Sequence, residues 1–286
     1  MATLEQYLLD ACRSGDVDVV RYHIDRGTSM SCTDARGYTP LRVAVEANHA
    51  AVVEVLAKSG ARGGDAAAML NAAVGHGNKR ILMHLITGCG FDPNVGAPIV
   101  GAASLGRASV VRQLIRAGAD VEQTIGREYT ALHAACAFGD TDCVDALLAA
   151  GAKPARADPN GSTPLHVACT HGNAYAAQRL LDVGADVNAC TGIADTPLLA
   201  AVRTKQFHVV VLLLRAGADI DKPGHGGITP LMAAVIVGDT GIVAALAGRG
   251  ARLDVRDEHG RTVFDIAKQC ERNGAIRVLR RTMPMH

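Results

Sequence analysis

The stretch NGSTPLHVACTHGNAYAAQRLLDVGADVNA occupies residues 160–189, and its pattern returns along most of the chain. Leu165 of the Thr-Pro-Leu-His phrase belongs to a series of equivalent positions. Most are 33 residues apart, as from 165 to 198, and two steps, from 41 to 70 and from 70 to 99, are 29. The series is Leu8, Leu41, Leu70, Ile99, Leu132, Leu165, Leu198, Leu231 and Phe264. A period of this length indicates repeated units that stack on one another.

Each repeat predicts two short helices and a turn. Thr163-Pro164 favours a helix start, because proline has a preset φ and lacks an N–H that the first turn cannot use. We expect a first helix at residues 164–170, a break at Gly172 and a second helix from about Ala174 to Asp182. Gly184 can adopt the left-handed conformation that ends the second helix. One such unit cannot bury its apolar face alone, whereas stacked copies can.

The period and the phrase Thr163-Pro164-Leu165-His166-Val167-Ala168 resemble those of the ankyrin-repeat family. The resemblance covers roughly residues 4–281. It implies an all-α solenoid of helix-turn-helix units with projecting β-hairpin-like loops, and a concave face lined by loop tips and first helices. We expect a single domain, 1–286, with units at approximately 1–33, 34–64, 65–92, 93–124, 125–157, 158–190, 191–223, 224–256 and a C-terminal cap at 257–286.

Several units depart from the pattern. The units anchored at Leu70 and Ile99 lack Thr-Pro-Leu-His, and the four missing residues fall between the glycine that ends the second helix and the next anchor. Shortened loops, and a notch in the row of loop tips, are therefore expected there. After Leu70 the place of that glycine is taken by Cys89, with a glycine on either side, and Lys205 replaces the usual inter-helix glycine in a later unit.

Composition excludes several classes of protein. Of 286 residues 49% are apolar, 3% are aromatic and the net charge is +1, so nothing favours nucleic acid or an anionic membrane as partner. The longest strongly apolar run, residues 209–214, is far too short for a membrane span. Eight cysteines without a Cys-x-x-Cys pair indicate free thiols in a reducing compartment. The N-terminus does not resemble a secretory signal.

A His-x-x-Cys spacing occurs at His133 to Cys136 and again at His166 to Cys169. A thiolate–imidazole pair or a shared metal site is conceivable. Valine holds the cysteine place in other units, which favours packed thiols, and the family resemblance implies a structural histidine that ties neighbouring loops together. We therefore predict no enzymatic activity, no cofactor and no metal.

The positions that the repeat leaves free are the loop tips and the residues just before the inter-helix turn. Leu105, Phe138 and Ile236 are apolar where a solvated helix end should be polar. Leu105 and Phe138 could instead tuck between first helices. A concave binding surface centred near Tyr129 and Phe138, beside the notch, is predicted, because aromatic and arginine side chains dominate interface energetics. Its residues are Arg36, Tyr38, Glu46, His76, Leu105, Arg127, Tyr129, Phe138, His171, Arg203, His225 and Ile236.

The function expected is non-catalytic protein–protein interaction, as an adaptor, scaffold, inhibitor or assembly factor that is a monomer on its own. The alternative is the targeting part of an effector or enzyme complex whose activity lies in another chain or a missing segment. The cytoplasm is the expected location, with the nucleus or a host-cell cytosol as alternatives. Asn188 lies in a segment resembling those that asparagine hydroxylases modify in the family. The competing interpretation is a loop asparagine that binds backbone groups.

Overall fold

The computed structural model describes residues 3–126 and 128–282. The chain forms two compact units, Met1–Ile125 (unit 1) and Gly126–His286 (unit 2). Each unit consists of pairs of short helices, in which a first helix packs against the second helix that follows it. The predicted all-α fold of stacked helix pairs is thereby confirmed.

In unit 1 the first helices are α1, α3, α5 and α7, and a π-helical segment at His84–Gly88 continues α6. The elements of unit 1 are α1 (Leu4–Ser14), α2 (Val17–Asp25), α3 (Pro40–Glu46), α4 (Ala50–Lys58), α5 (Ala66–His76), α6 (Lys79–Met83), α7 (Pro98–Ser104), α8 (Ala108–Arg116) and the short strand β1 (Thr124–Ile125).

Unit 2 continues the same alternation with first helices α9, α11, α13, α15 and α17, and a 3₁₀ turn at His225–Gly227. Its elements are the short strand β2 (Tyr129–Thr130), α9 (Ala131–Phe138), α10 (Thr141–Ala149), α11 (Pro164–His171), α12 (Ala174–Asp182), α13 (Pro197–Arg203), α14 (Phe207–Arg215), α15 (Pro230–Val237), α16 (Thr240–Ala247), α17 (Val263–Gln269) and α18 (Asn273–Thr282).

The helix boundaries follow from local chemistry. In α13, Thr196 caps the helix by accepting a hydrogen bond from the Leu199 backbone N–H, and Pro197 occupies the first turn. The second helix α12 spans the predicted residues, and α11 extends one residue beyond the prediction, to His171. Gly184, with φ of 86°, follows α12 in the left-handed conformation expected of it.

The turn between the two helices of a pair brings neighbouring repeats close together. Gly139 follows α9 with φ of 83°, and a Cβ added there would lie 2.6 Å from Asn173 Oδ1 of the next repeat. Asn173 uses this space to donate from Nδ2 to the Ala137 carbonyl at 3.1 Å. Lys205, the predicted departure, holds the equivalent place at φ of 59°. Glycine at this turn thus allows both the left-handed backbone conformation and the close approach of a side chain from the next repeat.

The core of each unit lies between the row of first helices and the row of second helices. First helices pack on first helices and second helices on second helices along each unit. The anchor positions from Leu8 to Leu231 are almost completely buried, whereas Phe264 is only half-buried. Small residues let the first helices of unit 2 approach closely, and all of the following are fully buried: Ala135, Ala168, Ala201 and Ala234.

The irregular repeats of unit 1 have a structural explanation. Residues 59–65 connect α4 to α5, whereas residues 183–196 make the corresponding connection between α12 and α13, so the loop before Leu70 is short as predicted. Cys89 is buried, and Gly90, with φ of 73°, takes the left-handed turn one residue later than the pattern requires. The π-helical turn at His84–Gly88 accommodates this extra residue, because a π-turn holds one residue more than an α-turn.

Candidate functional site

The repeated histidines are part of the scaffold. His166 Nδ1 accepts a hydrogen bond from the Thr163 backbone N–H at 3.2 Å, so its Nε2–H donates to the Asp195 carbonyl of the next loop at 3.1 Å. His133 makes the same two contacts, with Thr130 and with the Ser162 carbonyl. Burial lowers the pKa of His166, which favours the neutral ring that this geometry needs.

The cysteines beside these histidines are packed thiols. Cys136 and Cys169 are fully buried, and burial raises the pKa of Cys136 to about 12, so the thiolate is not populated at neutral pH. The pKa of Cys169 is raised in the same way. Within residues 3–126 and 128–282, no group of three or more His, Cys, Asp and Glu side chains is arranged to hold a metal ion.

We use the term first-helix face for the surface that the first helices and the loops before them present in each unit. In unit 2 this face contains a cleft of about 360 Å³ lined almost entirely by apolar atoms, the apolar cleft. Its lining is Arg203, His225, Ile228, Ala233, Ile236 and Val237. Three of the predicted residues, Arg203, His225 and Ile236, are thus brought together, and Ile236 is 40% exposed.

One repeat earlier, a second cleft of about 470 Å³, the mixed cleft, lies between the loop at 158–162 and the loop at 191–195. Ile193 stands on its rim with 61% of its surface exposed, although the sequence analysis did not select it. The repeat itself shows that Ile193 is unusual, because the equivalent positions in other repeats hold Asn160 and Gly226. An isoleucine at this loop tip therefore departs from the repeat.

An ion pair stands between the two clefts. Arg203 of the apolar cleft and Asp195 of the mixed cleft lie 3.1 Å apart, measured from guanidinium nitrogen to carboxylate oxygen. Arg203 remains partly exposed while Asp195 is largely covered. The pair places a cationic group on the rim of the apolar cleft.

Phe138 and Tyr129 differ in how much of the side chain is exposed to solvent. Phe138 is the last residue of α9 and is 59% exposed, so the alternative that it tucks between first helices is wrong. Tyr129 is half-buried: its hydroxyl donates to the His133 carbonyl at 3.3 Å, and burial raises its pKa. His171, at the position equivalent to Phe138 one repeat later, is exposed. Phe138 is thus free to contact a partner, whereas Tyr129 already packs on its own helix.

In unit 1, three other residues of the predicted binding surface line one cleft. A cleft of about 510 Å³ on its first-helix face is lined by Arg36, Tyr38 and Glu46 among others. Arg42 lies 3.9 Å above the Tyr38 ring and 3.7 Å from the Glu46 carboxylate, so two of the three are held by scaffold contacts.

The remaining predicted positions of unit 1 lie at helix ends. Leu105 is 47% exposed at the end of α7, which also overturns the tucked alternative for this residue, and His76 is exposed at the end of α5. Arg127 lies outside the described residues.

Asn188 is a structural part of its loop. Its side-chain oxygen accepts a hydrogen bond from the Asp219 backbone N–H at 2.8 Å, and its own N–H donates to Asp186 Oδ1 at 2.8 Å. Lys222 Nζ donates to the Asn188 carbonyl at 2.9 Å. These contacts agree with the interpretation of a loop asparagine that binds backbone groups. Its hydroxylation stays a prediction, and it would be decided by mass spectrometry of the peptide from cells that contain such a hydroxylase.

Comparison with known families agrees with this geometry. A family model described as "Ankyrin repeats (3 copies)" matches residues 8–97, 99–191, 155–224 and 198–282. The chain belongs to the ankyrin-repeat family. Ankyrin repeats are generally protein–protein interaction modules.

A curated relative of this ankyrin-repeat chain is an ankyrin repeat-containing protein of Schizosaccharomyces pombe. It is 37% identical over 65 residues, which cover 23% of this chain and 30% of that protein. The chain therefore matches less than a third of the relative's length, and the similarity concerns the repeats. Within the described ranges, no ankyrin helix combines the length and the apolar character that crossing a bilayer requires.

Proposed function

We propose that this ankyrin-repeat chain is a non-catalytic binding module that holds a partner protein or peptide on the first-helix face of unit 2. The observation that carries the proposal is the exposure of Phe138 and Ile236 at positions where the same repeat elsewhere has polar residues. Phe138 corresponds to His171 and Thr204, and Ile236 corresponds to Arg203 and Thr170. Large apolar side chains at such places are exposed to water, and covering them with another surface makes binding favourable.

The physical basis is a preorganised surface. Phe138 is the last residue of α9, and Ile236 and Arg203 lie at the ends of α15 and α13, so packed helices hold their backbones in place. A partner that docks there orders little of this chain, which lowers the entropic cost of association. Phe138 and Ile236 would act as anchors, while the rim charge of Arg203 would mainly affect the association rate.

Adaptor, scaffold, inhibitor and assembly factor are the roles that this mechanism serves, in the cytoplasm or another reducing compartment. The targeting part of an effector or enzyme complex remains the second candidate, with the activity in another chain. The identity of the protein that co-purifies distinguishes the two. An enzyme whose activity this chain localises supports the targeting role, whereas a non-enzymatic complex supports the scaffold.

The test begins by identifying the partner by affinity purification and mass spectrometry. Its affinity is then measured for wild type, Phe138→Ala, Ile236→Ala and Tyr129→Ala, with folding checked by circular dichroism. Loss of a central aromatic anchor costs about 2 kcal/mol or more, so Phe138→Ala should weaken binding by about 30-fold. Tyr129→Ala should weaken binding less, because part of that side chain already packs on His133.

Tyr175→Ala is the matched control. Tyr175 is an exposed aromatic residue of the second helix α12, 44% exposed, and should have no effect on affinity. If Phe138→Ala and Ile236→Ala both stay folded and bind within about twofold of wild type, the partner does not use this face.

A further inference from the structure

The first repeat of unit 1 leaves large apolar side chains uncovered. Leu4 and Tyr7 of α1 and Tyr22 of α2 are each more than half exposed, and Val19 of α2 is 37% exposed. The other sides of these two helices pack on α3 and α4. We call the exposed side of α1 and α2 the N-terminal face.

Later repeats of unit 1 bury the same positions. The positions equivalent to Val19 are almost completely buried and hold Val52, Ile81 and Val110. The positions equivalent to Tyr7 are buried as well and hold Pro40, Met69 and Pro98. In those repeats each helix pair packs on the pair before it. The N-terminal face thus continues the kind of interface that joins repeats within the unit, and covering its apolar side chains is favourable.

The last repeat of unit 2 shows how an open side is made polar. Val202 and Val235 are fully buried at one position of the first helices, and the last repeat has the exposed Lys268 there. Arg280 is likewise exposed where Leu214 is half-buried. An outer face of this polar kind keeps a repeat array soluble. The apolar side chains of the N-terminal face depart from that rule.

The aromatic residues of the N-terminal face form one contiguous patch. Tyr7 stacks on His23 with ring centroids 6.4 Å apart, and Tyr22 meets the same ring at 5.5 Å in a perpendicular arrangement. Arg26 lies over the Tyr22 ring, 4.8 Å from its centroid. Because His23 is itself buried, it fixes both tyrosines on the scaffold. The patch is therefore formed before any partner arrives.

The exposed stripe of α2 has opposite charges at its two ends. Asp16, Val19, Tyr22 and Arg26 follow one another at spacings of three or four residues, so they lie on one side of the helix. Asp16 begins the stripe, where it accepts a hydrogen bond from the Val19 N–H at 3.1 Å, and Arg26 ends it. Within the part of the chain that the structure describes, neither Asp16 nor Arg26 forms an ion pair.

The other charges of this repeat lie away from the stripe or are already paired. Asp10 and Arg13 form an ion pair at 2.9 Å. Burial and the Glu5 carboxylate raise the pKa of the Cys32 thiol, which places Glu5 toward the loop after α2. A second exposed side of α2 carries both signs and consists of Asp18, Arg21 and Asp25. The stripe itself thus has one acid, one cation and apolar side chains between them.

We infer that the N-terminal face binds the same face of a second copy of this chain and forms a two-fold symmetric dimer. The two-fold axis sets α2 antiparallel to α2 of the other copy. Asp16 then lies opposite Arg26 of the other copy, because both residues are five positions from residue 21. Val19 contacts Tyr22 of the other copy across the axis, and the two helix dipoles oppose each other.

Such a dimer differs from the monomer expected from the sequence. It goes beyond the proposed function, because it uses residues of unit 1, whereas the proposed partner surface consists of residues of unit 2. The charged ends of the stripe give the contact its register, and the tyrosines and Val19 supply its apolar centre.

Two other occupants fit this face less well. In a head-to-tail contact, the last repeat of another copy would bury the Lys268 ammonium where Val202 and Val235 make apolar contacts. A repeat of another protein, stacked as inside unit 1, would meet the bulky Tyr7 where this chain has compact residues such as Pro40. Neither occupant supplies a reason for the acid and the cation at the two ends of the stripe.

The test is sedimentation velocity of the full chain over a concentration series, with two charge variants. Arg26→Glu places an acid opposite Asp16 of the other copy, and Asp16→Arg places a cation opposite Arg26 of the other copy. The repeat is expected to tolerate both changes. Arg107 holds the place of Asp16 at the start of α8 without a side-chain cap, and Ser59 holds the place of Arg26 after α4.

Wild type should show a monomer–dimer equilibrium, and each charge variant alone should weaken it by at least about tenfold. An equimolar mixture of the two variants should restore the dimer, because each charge then faces its opposite. Tyr22→Gln, which introduces the residue that Gln113 already is at this position, should also weaken the dimer. A folding defect in either charge variant would not be rescued by mixing.

Phe138→Ala is the control and should leave dimerisation within about twofold of wild type, whereas Arg26→Glu should keep its affinity for the partner of the first-helix face. The two proposals can therefore fail independently. Four results overturn the dimer: wild type stays monomeric throughout the series; the assembly grows beyond two copies, as a head-to-tail contact would; the charge variants associate as wild type does; or their mixture does not restore the dimer.

Discussion

Two histidines of one helix show how position in the repeat decides what a residue does. His166 and His171 both lie in α11. His166 is buried and links Thr163 to the carbonyl of Asp195 in the next loop, whereas His171 stands exposed at the helix end, where a partner can reach it. Identical chemistry therefore serves the scaffold at one position and is available for binding at the other.

The buried histidine makes stability depend on pH. Burial lowers the folded-state pKa of His166 below its ordinary value, so below that ordinary value the unfolded chain takes up a proton that the folded chain does not. Stability is therefore full above about pH 6.5 and decreases as the pH falls through the window below it. In His166→Gln this contribution is removed, so the urea midpoint should fall less between pH 7.5 and 5.5 than in wild type.

His171→Gln is the control for this experiment, because that side chain is exposed in the folded state and should leave the wild-type pH dependence intact. An unchanged pH dependence in His166→Gln would show that other groups dominate the acid sensitivity of the chain.

At the scale of elements, the loops before the first helices are tied to each other through their backbones. The Gly192 N–H donates to the Asn160 carbonyl at 2.7 Å. Gly161, with φ of 80°, lies so close to the next loop that an added Cβ would be 2.9 Å from the Gly192 nitrogen. Gly260 holds the equivalent place three repeats later with φ of 73°, and nothing lies within 4 Å of an added Cβ there. The same turn is thus crowded in one loop and open in another.

This difference predicts unequal effects of one substitution. Gly260→Ala should cost about 1 kcal/mol, from the left-handed backbone alone. Gly161→Ala should cost at least about 1 kcal/mol more, because the methyl group meets backbone that cannot move aside without breaking the contact between loops. The free energy of unfolding from urea titration measures both variants. Equal losses would mean that the close approach of the loops contributes nothing.

At the scale of the whole molecule, stacking distance is set by small residues on the first helices. Ala168 and Ala201 of unit 2 are fully buried where α11 packs on α13. Because each repeat contacts only its neighbours, the stability of such an array is close to a sum of repeat and interface terms. A residue that forces two first helices apart therefore destabilises the interface between two repeats, and its effect is not confined to its own helix.

Ala201→Leu tests this view of the stack. Overpacking a close contact typically costs 1–3 kcal/mol, and we expect about 3 kcal/mol here because both neighbouring first helices must shift. Hydrogen exchange should show lost protection in α11 and α15 as well as in α13. Ala200→Leu is the control: Ala200 is the preceding residue but lines the mixed cleft, so it should cost well under 1 kcal/mol. Loss of protection confined to α13 would contradict the interface account.

The residues alone predicted the repeat, the helix order, the ends of α12 and the packed thiol of Cys169, and the resemblance to the ankyrin-repeat family implied the scaffold role of His166. These depend on contacts within a unit or with the adjacent one, and such contacts recur with the period. The exposure of Leu105 and Phe138 had to come from the packed structure, because it depends on which side chains the adjacent helices place around them.

The clefts likewise could not be predicted from the periodic pattern. The apolar cleft joins Arg203 to Ile236 across two repeats, and the mixed cleft joins Ser162 to Asp195, so in both the lining includes side chains 33 residues apart. A periodic pattern places each residue on a face, but it does not give the size and direction of the neighbouring side chains. Packing of adjacent repeats fixes those, and with them the surfaces that a partner can occupy.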